Sequence, residues 1–275
     1  MTALELTDVV VDYERRGGGR VRAVAGASIS VERGQIVGLV GESGCGKSTF
    51  ARAAVGLVRM TSGSVVFEGR EIVPLARRGR PRDLARLQLV FQNPYASLNP
   101  RRKVGSQLAD ALETLDLVPV AGRPARVREL CELVGLPPTA ATRFPHEFSG
   151  GQRQRIGIAR ALALSPRLIV CDEPVSALDV SIQAQIINLL KDLQAEFGLA
   201  YLFIAHDLAV VRSVSDRIAV MHHGRIVETG LAKDVYERPK DAYTKALLAS
   251  VPVPDPARMQ ERKADRRKLQ SAVAM

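Results

Sequence analysis

The stretch GESGCGKST, residues 41–49, constrains the fold of this chain more than any other segment. It matches G-x-x-x-x-G-K-[ST] and lies between the apolar run QIVGLV (35–40) and the helix-forming STFARAAVGLV (48–58). That setting is the one a phosphate-binding loop needs. Glycines let successive backbone N–H groups turn toward one anion, and the helix N-terminus adds its partial positive charge. Gly41, Glu42, Ser43, Gly44, Cys45, Gly46 and Thr49 are then the loop positions that enclose a nucleotide's phosphates. Lys47 reaches the β- and γ-phosphates, and the Ser48 hydroxyl holds Mg²⁺. A glycine-rich turn with an incidental lysine is the structural alternative, and the flanking strand and helix speak against it. Such a loop leaves the task open, because kinases, GTPases, helicases and transport motors share it. The Asn-Lys-x-Asp guanine reader of GTPases is absent from the sequence.

The surrounding pattern predicts an α/β sheet. ALELTDVVVDY (3–13) and VRAVAGASISVERGQ (21–35) alternate with period two, as antiparallel strands do. QIVGLV, LQLVFQ (87–92), RLIVCDE (167–173) and AYLFIAH (200–206) are short continuous apolar runs, the mark of parallel strands covered on both faces. Between the last two, Ile182, Ile186, Leu189 and Leu193 recur at helical spacing, with Asp179 as N-cap and Gly198 as stop. Strand, helix, strand in that order gives right-handed crossovers. Residues from about 95 to 164 read as a helical insertion, broken at GRP (122–124) and GLPP (135–138). Residues 251–275, with prolines and then a charged run, read as a linker and basic tail on a main domain of residues 1–250.

Several polar residues end the apolar runs, where an open α/β sheet binds its ligand. Asp172 fits the carboxylate that holds Mg²⁺ through water, and Glu173 fits the base that polarises the attacking water. Capping of the next turn is the bland alternative for that pair. His206 fits a γ-phosphate contact better than a purely structural histidine, because the strand before it carries the two carboxylates. Gln92 can reach the metal or the water, or be a solvated loop amide; Tyr13 can stack on adenine, or be an ordinary strand tyrosine.

A second glycine pair stands at FSGGQRQR (148–155), well after a phosphate loop that is already complete. Ser149 and the N–H groups of Gly150 and Gly151, at the start of a helix, make a second anion site that can close only on a ligand presented from outside. With these residues in order, the chain resembles the nucleotide-binding subunits of ABC transporters. FSGGQRQR is similar to the signature of that family, SALD (176–179) to its D-loop, Gln92 to its Q-loop residue and His206 to its switch histidine. The resemblance implies a P-loop NTPase (ABC ATPase) core of α/β class, with an N-terminal antiparallel β-subdomain and an inserted α-helical subdomain. It implies that Ser149, Gly150, Gly151 and Gln152 contact the ATP held by an opposite subunit, with Asp179 at the seam. It also implies ATP and Mg²⁺ as cofactors, a catalytic set of Glu173, His206, Gln92 and Lys47, and a metal set of Ser48, Gln92 and Asp172.

A narrower likeness is carried by FQNPYASLNPR (91–101), CDEPVSALDVSIQAQIINLLKDLQ (171–194) and RPKDAYTKALLASVPVPDP (238–256). These resemble the oligopeptide/dipeptide/nickel import ATPases. The partners so implied are a second ATPase subunit, a paralogue or a copy of this chain, two membrane permease subunits and, indirectly, an extracytoplasmic solute-binding protein. The place implied is the cytoplasmic face of the inner membrane, as a peripheral protein. That subfamily's C-terminal extension often holds clustered cysteines that carry an iron–sulfur centre; Cys171 is the last cysteine here, so no cluster is expected. The histidines of HHG (222–224) depart from the subfamily's usual residues, on a turn where little depends on them.

Composition narrows the alternatives. With 275 residues, 46% of them hydrophobic, the chain can bury a large core, and no apolar run reaches the ~18 residues that cross a bilayer. Its start is acidic and alternating, unlike a secretory signal. Cys45, Cys131 and Cys171 are odd in number and far apart, which suits reduced thiols. A net charge of +10 is compatible with a nucleic-acid module or with generally abundant arginine. At 4% aromatic residues and no tryptophan, base-stacking platforms are disfavoured, and no nucleic-acid partner is expected. A non-transport ABC ATPase would usually carry a long coiled-coil insertion or a second cassette, and an exporter a fused membrane domain.

Overall fold

Alternation in the first two apolar segments produces the long antiparallel strands β1 (Thr2–Glu14) and β2 (Arg20–Glu32) in the computed structural model, which describes residues 1–15, 17–74, 81–93 and 98–250. Besides Ala3, the buried positions of β1 are Leu4 and Leu6, then Val9 and Val11, so the alternation slips by one residue in between. A register shift from Leu6 to Val9 absorbs that slip, with Asp8 in the left-handed region at φ +48°. Without the bulge, one half of the strand would turn its apolar side to water. β4 (Ser62–Phe67) and β5 (Arg70–Glu71) complete a four-stranded sheet in the order β2-β1-β4-β5.

The continuous apolar runs become the second sheet, ordered β10-β9-β3-β8-β7-β6. Here β3 (Ile36–Val40), β6 (Leu87–Val90), β7 (Leu168–Asp172), β8 (Ala200–Ala205) and β9 (Arg217–His222) run parallel, and β10 (Arg225–Leu231) returns antiparallel to β9. All residues of β3, β7 and β8 are buried, as expected of strands covered on both faces. Helix α1 (Lys47–Ala54) contacts β1 and β2 of one sheet and β7 and β8 of the other. Its Phe50 is fully buried in a core shared with Leu39, Val170, Leu202 and the inner face of β1.

Between β6 and β7 the described residues form helices and 3₁₀ turns, as the pattern predicts. These helices are α2 (Val104–Leu115), α3 (Arg123–Leu133) and α4 (Gly150–Leu162). The two predicted breaks are real: α3 begins right after Gly122 with Pro124 in its first turn, and beyond its end Gly135 adopts φ +68° ahead of a 3₁₀ turn at Pro138–Thr142. In α5 (Val180–Phe197) the fully buried stripe is Ile186, Ile187, Leu190 and Leu193. Ile182 and Leu189 of the predicted stripe are only partly buried at its margin, because the helix packs on both α4 and the sheet. Asp179 is the N-cap by position but its side chain makes no cap bond, and Gly198 ends α5 in the left-handed conformation. The chain continues through α6 (Leu208–Val214), α7 (Ala232–Glu237) and α8 (Ala242–Ala249). The tail read at 251–275 and the first residues of the helical insertion, 95–97, lie outside the described residues.

Because α1 wedges the two sheets apart with Phe50, Phe50→Ala should lower the unfolding free energy by about 3–5 kcal/mol. Urea denaturation measures this, and a loss below about 1 kcal/mol would mean that α1 is not packed between the sheets.

Candidate functional site

The loop from Gly41 follows β3 directly and leads into α1. Gly46 precedes the helix at φ +110°, and a side chain there would meet the Ala23 carbonyl oxygen at 2.2 Å. At Gly41 a Cβ would come within 2.1 Å of the Met221 carbonyl oxygen. Both positions therefore demand glycine for space, and Gly46 for its backbone angle as well. Lys47, 3% exposed, donates from Nζ to the carbonyl oxygens of Gly41 (2.7 Å) and Glu42 (2.8 Å). The thiol of Cys45 lies 3.9 Å from the same ammonium, and burial raises its pKa. An open cleft of about 310 Å³ lies over the loop, lined by Ala23, Ser43, Gly44, Gly46, Lys47, Ser48, Thr49, Gln92 and Glu173.

The predicted polar residues gather where the parallel strands end. Asp172 is the last residue of β7 and is 2% exposed; its Oδ1 accepts from the Ser48 hydroxyl at 2.8 Å. Burial pushes this carboxyl above its ordinary range, against the Ser48 hydrogen bond and the charge of Arg52, which pull it down. Glu173 follows at φ +47°, a conformation costly for any residue but glycine, and its N–H is tied to the Ile204 carbonyl at 3.0 Å. The bend carries its carboxylate out of the sheet and into the lining of the cleft. Gln92 Nε2 donates to Glu173 Oε2 at 2.9 Å, and His206 Nδ1 lies 3.7 Å from that same oxygen. Gln92 also reaches Oγ of Ser176, the first residue of SALD, at 3.3 Å.

Tyr13, on β1, is 41% exposed, and its hydroxyl lies 3.5 Å from Thr49 Oγ1. The second glycine pair opens α4. Ser149 is the N-cap: its hydroxyl accepts from Gln152 N–H at 3.3 Å, and Gln152 Oε1 accepts from Ser149 N–H at 3.0 Å. The first N–H groups of a helix lack partners within it, so those at Gly150 and Gly151 suit an acceptor from outside. The two glycines differ. A Cβ on Gly150 would make ordinary contact with Leu178 at 3.4 Å, whereas one on Gly151 would come within 2.5 Å of Ile182 Cγ2 on α5. Gly150 lines a separate cleft of about 420 Å³ with Gln92, Asn93, Gln154, Pro174, Ala177 and Leu178. Asp179 is exposed just beyond this cleft. Gln92 thus borders both clefts.

One contact to the phosphate loop had no signal in any short motif. The N–H of Glu42, inside the phosphate loop, donates to the hydroxyl of Tyr243 on α8 at 3.0 Å across 201 residues of sequence.

Comparison with known proteins shows the family. The family model for the ABC transporter matches residues 24–176, and that for the oligopeptide/dipeptide transporter C-terminal region matches residues 227–274. The chain is 50% identical over 259 residues to the oligopeptide transport ATP-binding protein AppF of Bacillus subtilis (strain 168), covering 92% of this chain and 79% of AppF. It is 49% identical over 264 residues to the oligopeptide transport ATP-binding protein OppF of Escherichia coli (strain K12), covering 92% and 78%. Among solved structures, the ATP-binding cassette MJ0796, dimeric in a post-hydrolysis state bound to ADP and Pi, superposes with a TM-score of 0.73 at 28% identity, covering 83% of this chain and 98% of that one. The cbiO1 protein of Clostridium perfringens, part of the complex cbiONQ, gives 0.73 at 26% identity, covering 86% and 91%. The chain belongs to the ABC transporter family of ATP-binding proteins.

The two signature glycines should separate on stability. Gly151→Ala should cost about 1–3 kcal/mol through overpacking against Ile182. Gly150→Ala should leave stability within about 1 kcal/mol of the parent, or raise it through helix propensity. Equal losses in chemical denaturation would contradict the packing described at α4 and α5.

Proposed function

We propose that this chain is the ATP-hydrolysing subunit of a peptide importer, and that the cleft over the phosphate loop is where it binds and cleaves ATP. The observation that carries the reading is the Glu173 carboxylate, which lines that cleft with one oxygen bonded to Gln92 and close to His206. Identity of about half to oligopeptide transport ATP-binding proteins, over nearly the whole chain, supports the class of cargo.

In this reading the loop N–H groups and Lys47 cradle the phosphates, and Tyr13 stacks on the adenine. Glu173 orients and activates the attacking water, and Gln92 keeps its carboxylate in place. His206, with Lys47, stabilises charge on the γ-phosphate. Most of the acceleration then comes from positioning and electrostatics in a prebuilt site. The hard oxygens of Ser48 and Asp172, 2.8 Å apart at the cleft, suit Mg²⁺, which usually takes one or two carboxylates and fills its other positions with phosphate and water. Gln92 would complete the protein's contribution to that ion. Bound there, the metal supplies neutralisation of the phosphate charge.

Ser149, Gln152 and the first N–H groups of α4 at Gly150 and Gly151 meet the ATP of an opposing subunit, with Asp179 at the seam between the two. The opposing subunit is a second ATPase, a paralogue or a copy of this chain. Closure of the pair moves two membrane permease subunits, which receive peptide from an extracytoplasmic binding protein. Among the described residues no helix is long and apolar enough to cross a membrane. Contact with those permeases holds the chain at the cytoplasmic face of the membrane, as a peripheral protein.

Two substitutions separate the halves of this composite site. Lys47→Ala should weaken binding of a fluorescent ATP analogue by about tenfold or more, the worth of a charged hydrogen bond. Gly150→Asp should leave that affinity unchanged but lower hydrolysis in the assembled transporter by about 10²-fold, because a carboxylate at an anion site repels the partner's γ-phosphate. Normal hydrolysis by the Gly150→Asp complex would make the glycine pair a helix start and nothing more.

A further inference from the structure

We infer that Tyr243 is a positioning residue for the phosphate loop, through which helix α8 and the C-terminal region set the loop's affinity for nucleotide. The reasoning rests on the reading of the loop as the ATP site and extends it to a residue far from every nucleotide-binding motif.

The peptide group between Gly41 and Glu42 is held at both ends. Its carbonyl, on Gly41, accepts from Lys47 Nζ at 2.7 Å, and its N–H, on Glu42, donates to Tyr243 Oη at 3.0 Å. A peptide unit is planar with C=O and N–H pointing in opposite directions, so fixing one end fixes the other. Tyr243 therefore orients the carbonyl that Lys47 rests on. The next carbonyl, on Glu42, is the second seat of the same ammonium at 2.8 Å. Most N–H groups in a phosphate loop are aimed at the anion; this one is turned away from it and spent on α8.

The tyrosine is itself firmly held. The Glu228 carboxylate on β10 accepts from the N–H groups of Lys240 (2.9 Å) and Asp241 (3.0 Å), fixing the turn before α8. Asp241 caps the helix, accepting from Tyr243 N–H at 2.8 Å. The Tyr243 ring stacks on His222 with centroids 3.8 Å apart and planes 16° from parallel, so this histidine, expected on a turn where little depends on it, instead ends a strand and holds the tyrosine. His222 ends β9, and β9 pairs with β3, the strand that delivers the loop. Burial pushes the Tyr243 hydroxyl up to about 12, so it stays neutral as an acceptor. The ring is 6% exposed and Leu247, one turn on, is also buried, so α8 docks as a unit. The segment matched by the oligopeptide/dipeptide C-terminal family model, residues 227–274, thus begins with elements that grip the loop.

The test uses the full chain, with trinitrophenyl-ATP as probe. Tyr243→Phe keeps the stacked ring and removes only the acceptor. It should weaken probe binding by about 3–10-fold, the range for one lost hydrogen bond. In the assembled transporter it should raise KM for ATP with kcat within about twofold, because the lost interaction serves the bound nucleotide and its transition state alike. Coupling is reciprocal, so ATP should slow amide exchange across residues 242–249 in the parent chain and do so less in Tyr243→Phe. Parent affinity in Tyr243→Phe would overturn the inference while leaving the ATP site intact. So would unchanged exchange of α8 on nucleotide binding in the parent, a measurement that stands even if the variant fails to fold. A parent chain that binds no probe would overturn both the site and the inference built on it.

Discussion

A buried ammonium organises this molecule. Lys47 is almost wholly removed from water, and carbonyl oxygens of Gly41 and Glu42 receive it. A buried charge is costly unless its donors are matched, and carbonyl dipoles match it only in part. The loop therefore holds its chain in a tight turn around a cation that can still gain from an anionic ligand. Everything near it serves that arrangement: glycine at positions 41 and 46 where backbone crowds in, Phe50 fixing the helix from below, and Tyr243 pinning the peptide from the side.

The sheet then supplies the polar groups of the proposed site. β3, β7 and β8 run parallel side by side, so their C-terminal ends open on one edge. The loop, the Asp172–Glu173 pair and His206 follow those ends directly, and Gln92 comes two residues after β6. Glu173 accepts a left-handed backbone to leave the plane of its strand, a local cost of about 1–2 kcal/mol that the packed sheet on either side sustains. Gln92 borders the phosphate-loop cleft and the cleft beside the signature helix, and joins β6 to the helical segment that follows it in the chain.

Much of this could be read from the chain itself, for a physical reason. Buried parallel strands are continuous apolar runs, and a polar residue ending such a run is already at the functional edge of the sheet. Gln92, Asp172, Glu173 and His206 were legible in that way, Lys47 and Ser48 from the G-x-x-x-x-G-K-[ST] loop between strand and helix, and the Ser149 cap from its spacing to Gln152. What escaped depends on contacts between distant segments. The bulge at Asp8 is visible only once β1 is paired with β2, and the true stripe of α5 only once α4 lies against it. Gly151 looks like its neighbour in sequence, yet its missing side chain makes room for Ile182. Tyr243 lies in an ordinary amphipathic helix, and nothing local says that its hydroxyl meets Glu42.

The central claim is that Glu173 is the group that activates water in a site able to bind ATP without it. The most direct measurement is ATP binding and ATP turnover in the same preparation of Glu173→Gln, assembled with its partner subunits. Glutamine preserves shape and the hydrogen bond from Gln92 but cannot take a proton. ATP affinity should stay within about threefold of the parent, and turnover should fall about 10²–10⁴-fold. Hydrolysis at the parent rate would contradict the claim, and would move the reacting group away from the end of β7.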